Sequence, residues 1–172
     1  MNLPNKLTIA RVIAVPVFIV FYLMGWSVAA FVVFSLASIT DTLDGNIARK
    51  RNLVTNFGKI MDPLADKILV YSALCLFVET GVIKGWMLIV ILAREFVVAG
   101  LRTVAASNGI VIAAGVSGKI KTVLQMIAVL LLILGKYWIF GVLGQIFMWA
   151  SLVMTVYSGA EYVIKNVNVF KG

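Results

Sequence analysis

The chain has no histidine, one cysteine, three prolines and only seven acidic residues in 172. Without histidine it lacks the side chain that most often serves as a general base near neutral pH and most often ligates zinc. Proton transfer then falls to a carboxylate, a lysine or a tyrosine. Any bound metal is a hard, oxygen-ligated ion such as Mg2+ or Mn2+. The lone Cys75 excludes an intrachain disulfide and a thiolate cluster. Charge is scarce as well: 13% of the residues are charged, against about 25% in ordinary globular domains. A soluble domain is not what this composition describes.

What is present is apolar. Hydrophobic residues make up 62% of the chain and the mean hydropathy is +1.06. Several runs approach the roughly 20 residues needed to cross a hydrocarbon core. The expectation is an all-α, polytopic integral membrane protein, a single membrane domain over residues 1–172. Six transmembrane helices are expected, at about Leu7–Met24, Trp26–Ala48, Asp62–Val78, Trp86–Ala106, Lys119–Leu134 and Ile139–Ile164. The first lacks a small-residue cleavage site and reads as a mature helix. Pro63 suits the first turn of the third helix, with Asp62 as its cap. Gly141 and Gly144 suit close packing of the last helix. With six spans, every Lys and Arg except Lys84 and Lys136 falls on one side, so both termini are expected in the cytoplasm. The net charge of +8 points to anionic partners, membrane lipid head groups or nucleotides, and not to nucleic acid.

One stretch breaks the apolar pattern. Four of the seven acidic residues, Asp41, Asp44, Asp62 and Asp66, lie between positions 41 and 66. On helices, Asp41 and Asp44 share a face, and so do Asp62 and Asp66. A carboxylate within a membrane costs at least about 2.5 kcal/mol, and four that converge repel one another unless a cation neutralises them. They supply enough oxygens for two bridged divalent ions, Mg2+ or Mn2+, with phosphate or water completing the coordination. Gly45, Ala48 and Gly58 fall on the same side and let a phosphate or planar group lie close to the backbone. Arg49 is placed to take a phosphate in a bidentate manner. The same carboxylates would also suit a divalent-cation transporter, although the small residues and Arg49 have no evident task there.

The pattern Asp41-x2-Asp44-Gly45-x2-Ala48-Arg49-x8-Gly58-x3-Asp62-x3-Asp66 resembles the signature of the CDP-alcohol phosphatidyltransferases at every fixed position. That resemblance implies six spans with the motif across the second and third. It implies attack by an alcohol on a CDP-linked lipid with release of CMP. It implies metal binding by the four aspartates, Asp66 doubling as general base, and a homodimer. An alcohol attacking a diphosphate does need a base in reach, and without histidine a carboxylate is the natural one.

The signature reads only the CDP donor. For the acceptor, Arg94 and Arg102 lie eight apart and roughly share a helix face, and Lys119 and Lys121 open the next helix. A basic, cytoplasm-facing pocket of these four suits an acceptor that itself carries phosphate. Asn5-x2-Thr8-x2-Arg11, Ala93-Arg94-Glu95, Gly100-Leu101-Arg102 and Gly118-Lys119-Ile120-Lys121-Thr122 are similar to the family members that use sn-glycerol 3-phosphate. This narrower resemblance implies CDP-diacylglycerol as donor, glycerol 3-phosphate as acceptor, Thr8 and Arg11 near the nucleotide, and residence in a bacterial cytoplasmic membrane with the site facing inward. Serine, inositol phosphate or phosphatidylglycerol are the alternative acceptors.

Overall fold

The computed structural model describes residues 3–50, 56–107, 109, 112–113 and 115–167, with backbone alone for residues 3–8, 41–50, 56–63 and 65–66. These form six helices and no strand: α1 Leu3–Leu23, α2 Ser27–Lys50, α3 Asn56–Glu79, α4 Gly85–Ser107, α5 Val116–Ile133 and α6 Trp138–Lys165. Five of the six expected helices begin within a few residues of their expected starts. The third does not: α3 begins at Asn56, about two turns early. Asp62 and Pro63 therefore lie inside a helix and not at its cap, which corrects the sequence expectation. A proline there forfeits its own N–H bond to the preceding turn, while the helical backbone continues on both sides of it.

Tight turns with positive-φ glycines follow α1 and α3, at Gly25 and Gly81. α1 ends in a Schellman turn, with Gly25 at φ 75°, its N–H on the Tyr22 carbonyl at 3.0 Å and the Trp26 N–H on the Phe21 carbonyl at 2.9 Å. Glycine adopts that φ without a Cβ penalty. The stack of Phe21 on Trp26, 5.7 Å between ring centroids, supplies the hydrophobic contact that accompanies the motif.

α1, α2 and α3 meet over the fully buried Phe18, Phe34, Leu69, Leu74 and Phe77, with the Phe18 and Phe34 rings 5.4 Å apart. α5 packs most extensively on α6, and α4 also leans on α6. A Cβ built on Gly144 would lie 2.7 Å from Leu132 Cδ2, so this glycine is what lets α6 approach α5. Farther along α6, the buried Ser151, Thr155 and Ser158 turn their hydroxyls back to the Met148, Ser151 and Thr155 carbonyls. The face they leave is small and weakly polar, and the site is built against it.

Many large apolar side chains face outward, among them Leu36, Ile89, Phe96, Trp138 and Val153. Such a surface suits hydrocarbon as its solvent. α5 and α6 are each long and apolar enough to cross a bilayer, and α1 and α2 carry shorter apolar lengths, Ile9–Leu23 and Ser27–Thr40. α4 is interrupted by Arg94, Glu95 and Arg102. The chain has the character of a membrane protein.

Overpacking a tight helix contact costs about 1–3 kcal/mol. Gly144→Val is expected to lower the melting temperature of the detergent-solubilised protein by several degrees, whereas the same change at Gly100, where a Cβ meets nothing within 4 Å, is expected to do much less. Equal melting of the two variants would remove Gly144 as the packing contact.

Candidate active site

The acidic motif occupies the end of α2 and the start of α3. Asp41, Asp44, Gly45, Ala48 and Arg49 lie on the last turns of α2, and Gly58, Asp62 and Asp66 on the first turns of α3. Their side chains, and that of Thr8 on α1, lie outside the described residues, as does the 51–55 connector. A connector this short spans at most about 20 Å, so both halves of the motif lie at one end of the bundle. Arg11 is buried, and its Nε reaches the Ala37 carbonyl at 3.4 Å, which ties α1 to α2 one turn before Asp41.

Directly after the motif, Lys67 leads to the rest of the site. Its ammonium lies 3.4 Å from Glu95 of α4. The same carboxylate takes the Lys121 Nζ of α5 at 2.7 Å and the neighbouring Arg94 Nη1 at 3.3 Å. Glu95 is thus shared by cations from three helices, and Lys121, only 3% exposed, has Glu95 as its ion-pair partner.

Arg94 continues past Glu95 to α6, where its Nη2 donates to Ser158 Oγ at 3.2 Å. Room for it comes from two glycines. A Cβ on Gly159 would lie 2.9 Å from Arg94 Cγ, and one on Gly118 would lie 3.1 Å from Arg94 Nη2. One turn farther along α6, Arg102 donates its Nε–H to the Tyr162 hydroxyl at 3.1 Å, with the guanidinium 5.5 Å from the Tyr162 ring centroid. Arg94 is held through both terminal nitrogens, whereas Arg102 is held through Nε and keeps its terminal N–H donors for a ligand.

These side chains line a cavity of about 620 Å³, together with Lys67, Lys119, Ser117, Glu161 and Lys165. Of the four residues expected to form a basic pocket, Arg94, Arg102 and Lys119 come together in it. Lys121 does not. It lines an adjoining cavity of about 140 Å³ with Lys67, Tyr71, Glu95 and Gln125, its ammonium committed to Glu95. The larger cavity is rich in donors and has the size of a small phosphorylated ligand's site.

The sequence profile of the CDP-alcohol phosphatidyltransferase family matches residues 1–157. The chain belongs to the CDP-alcohol phosphatidyltransferase family. Among its relatives, a Bacillus subtilis protein named CDP-diacylglycerol–glycerol-3-phosphate 3-phosphatidyltransferase is 43% identical over 99% of this chain and 97% of its own length. Proteins of the same name from Rickettsia felis and Rickettsia typhi are 40% and 41% identical, each over 94% of this chain, and over 93% and 94% of their own lengths.

Within this family frame, the structure adds residues that the sequence reading had not placed in the site. Ser158, Glu161, Tyr162 and Lys165 all line the cavity. Their spacing of three, four and seven marks one helical face, and a polar stripe on the last, otherwise apolar helix was the available signal. In the sequence Glu95 stands out only as part of the Ala93-Arg94-Glu95 motif.

Removing one partner of a buried ion pair costs about 3–5 kcal/mol, because the other charge stays behind uncompensated. Glu95→Gln is expected to melt markedly lower than the parent protein and to lose most activity. Adding Lys121→Met to Glu95→Gln is expected to restore much of the melting temperature. A double variant no more stable than the single one would show that Lys121 does not depend on Glu95.

Proposed function

We propose that this chain is an integral membrane transferase that moves the phosphatidyl group of CDP-diacylglycerol to sn-glycerol 3-phosphate, giving phosphatidylglycerol phosphate and CMP. The observation that carries the reading is the juxtaposition of the family's aspartate motif with a basic cavity. Lys67, which follows Asp66, lines the cavity that also holds Arg94, Arg102 and Lys119. An acceptor phosphate held there leaves its hydroxyl end toward α3. The names of the relatives agree with that acceptor.

Asp41, Asp44, Asp62 and Asp66 stand as two pairs about one turn apart on helical backbone, an all-oxygen donor set that fits two Mg2+ or Mn2+ ions. When bound, such ions neutralise the diphosphate and the leaving CMP. The rest falls to the chain. Gly45, Ala48, Arg49, Gly58, Thr8 and Arg11 form the proposed seat of the CDP group. Arg94, Arg102 and Lys119 hold the acceptor's phosphate, and Lys121 acts behind them through Glu95. Asp66 takes the proton of the acceptor hydroxyl as its oxygen bonds to the β-phosphorus. The bond from that phosphorus to the bridging oxygen breaks, and CMP leaves with the electron pair. Holding both substrates makes the attack effectively unimolecular.

The proposed topology has six crossings with both termini in the cytoplasm and this chemistry on the inner face of a bacterial cytoplasmic membrane, a reading supported by the gathering of basic residues on one side. Acyl chains of the donor leave sideways between helices into lipid. A homodimer is the assembly that the family resemblance supports.

CMP release by the purified protein with Mg2+ tests the reading, with glycerol 3-phosphate, serine, inositol phosphate and phosphatidylglycerol offered in parallel. Release with glycerol 3-phosphate alone, abolished by EDTA, is expected; release with another acceptor would discard the assignment of the basic cavity. Asp66→Asn is expected to reduce turnover by at least about 100-fold, the low end of general-base contributions, while CDP-diacylglycerol still binds. Arg102→Ala is expected to raise the KM for glycerol 3-phosphate more than that for CDP-diacylglycerol. The reverse order would move Arg102 to the nucleotide side.

A further inference from the structure

Two carboxylates line a cavity otherwise suited to an anion. Glu95 is enclosed and shared by three cations. Glu161 is different. It sits on the last turns of α6 with its side chain 27% exposed, and one oxygen pairs with Lys165, itself 70% exposed. The other accepts from the Ser117 hydroxyl in the first turn of α5. That turn starts at Gly115, which caps the helix without a side-chain hydrogen bond, and Gly115, Ser117 and Gly118 all line the cavity. The first N–H groups of an α-helix lack intrahelical partners and carry partial positive charge. Ser117, Lys165 and this helix start, next to Arg102 and Lys119, are the donors an incoming phosphate would use. A carboxylate of the chain already engages two of them.

We propose that Glu161 is an internal counter-anion that sets the affinity of the cavity for phosphate groups, and that the acceptor's phosphate enters by displacing it from Ser117 and Lys165. The proposal rests on the reading of the cavity as the site of the phosphorylated acceptor. Glu161 is a positioning residue: it holds donors in place and takes no part in the reaction. Because a bound phosphate must break the two Glu161 contacts and lie beside its charge, every phosphate-bearing ligand binds against the same penalty.

The test compares the parent, Glu161→Gln and Glu161→Asp for the KM of glycerol 3-phosphate and for inhibition by inorganic phosphate, with the KM of CDP-diacylglycerol as internal control. Removing a like charge about 4 Å from the phosphate is expected to tighten anion binding roughly fivefold. Glu161→Gln should lower the inhibition constant of phosphate and the KM of glycerol 3-phosphate by about that factor each, with Glu161→Asp close to the parent. A Glu161→Gln enzyme whose two constants are unchanged or higher would overturn the proposal, since a purely structural link between α5 and α6 can only weaken the site when cut. Arg102→Ala separates this failure from failure of the underlying reading. If it alters neither constant in the parent background, the cavity is not the acceptor site at all.

Discussion

The Glu95 carboxylate is the contact on which the charged half of the molecule depends. In so apolar a chain each charge needs a partner or water, and Glu95 supplies one to three cations at once. The pairs reach α3 through Lys67, α4 through Arg94 and α5 through Lys121. Arg94 then passes the connection to α6 through Ser158. Four helices are thereby tied at one end of the bundle by electrostatics. At the other end the links are neutral: the Tyr22 hydroxyl on Thr80 at 3.3 Å and the Gln145 amide on the Val82 carbonyl. The bundle is polarised end to end, with its charge gathered where the family motif lies.

The backbone is shaped to admit that charge. Gly118 and Gly159 are spaces that Arg94 fills, and Ser158 meets it with a hydroxyl already bonded to the helix at the Thr155 carbonyl. Tyr162 receives Arg102 with both its hydroxyl and its ring. Both contacts fix an arginine without neutralising it, since a serine and a tyrosine are uncharged acceptors. Arg102 therefore enters the cavity with its full charge, and Arg94 shares its own with Glu95. Lys121, outside this cavity, and Arg94 both pair with Glu95, whereas Arg102 pairs with no carboxylate among the described residues.

Much of the architecture was legible in the sequence because one rule dominates in an apolar chain: uninterrupted runs become helices, and turns fall at Gly25, Gly81 and the Gly-rich segment before α5. The rule failed at Pro63, where local preference for a helix start yielded to six further residues of helical backbone upstream. Arg94 and Arg102 were legible as neighbours because eight residues nearly close two turns. Lys121 was misjudged for a reason of the same geometry. It stands two residues from Lys119, on another face of α5, and that face meets the Glu95 carboxylate. Glu161 and Lys165 were missed because their meaning comes from Ser117, 44 positions earlier, a proximity no local spacing encodes.

The same low-dielectric setting that makes these charges costly also makes them effective. A guanidinium shielded from bulk water attracts a phosphate more strongly than an exposed one, but it must be kept charged and aimed while the site is empty. Glu95 pairs with Arg94 directly, and Glu161 holds the neighbouring Ser117 and Lys165 donors. The deeper one, Glu95, is enclosed among cations and serves the framework; the outer one, Glu161, is partly open to solvent and stands where an anion would arrive. The two glutamates thus differ in their partners: Glu95 holds cations from three helices, and Glu161 holds Lys165 and Ser117. Substitutions in this network should be read through the separate responses of melting temperature, acceptor KM and turnover, because loss of activity by itself does not distinguish a broken frame from an altered site.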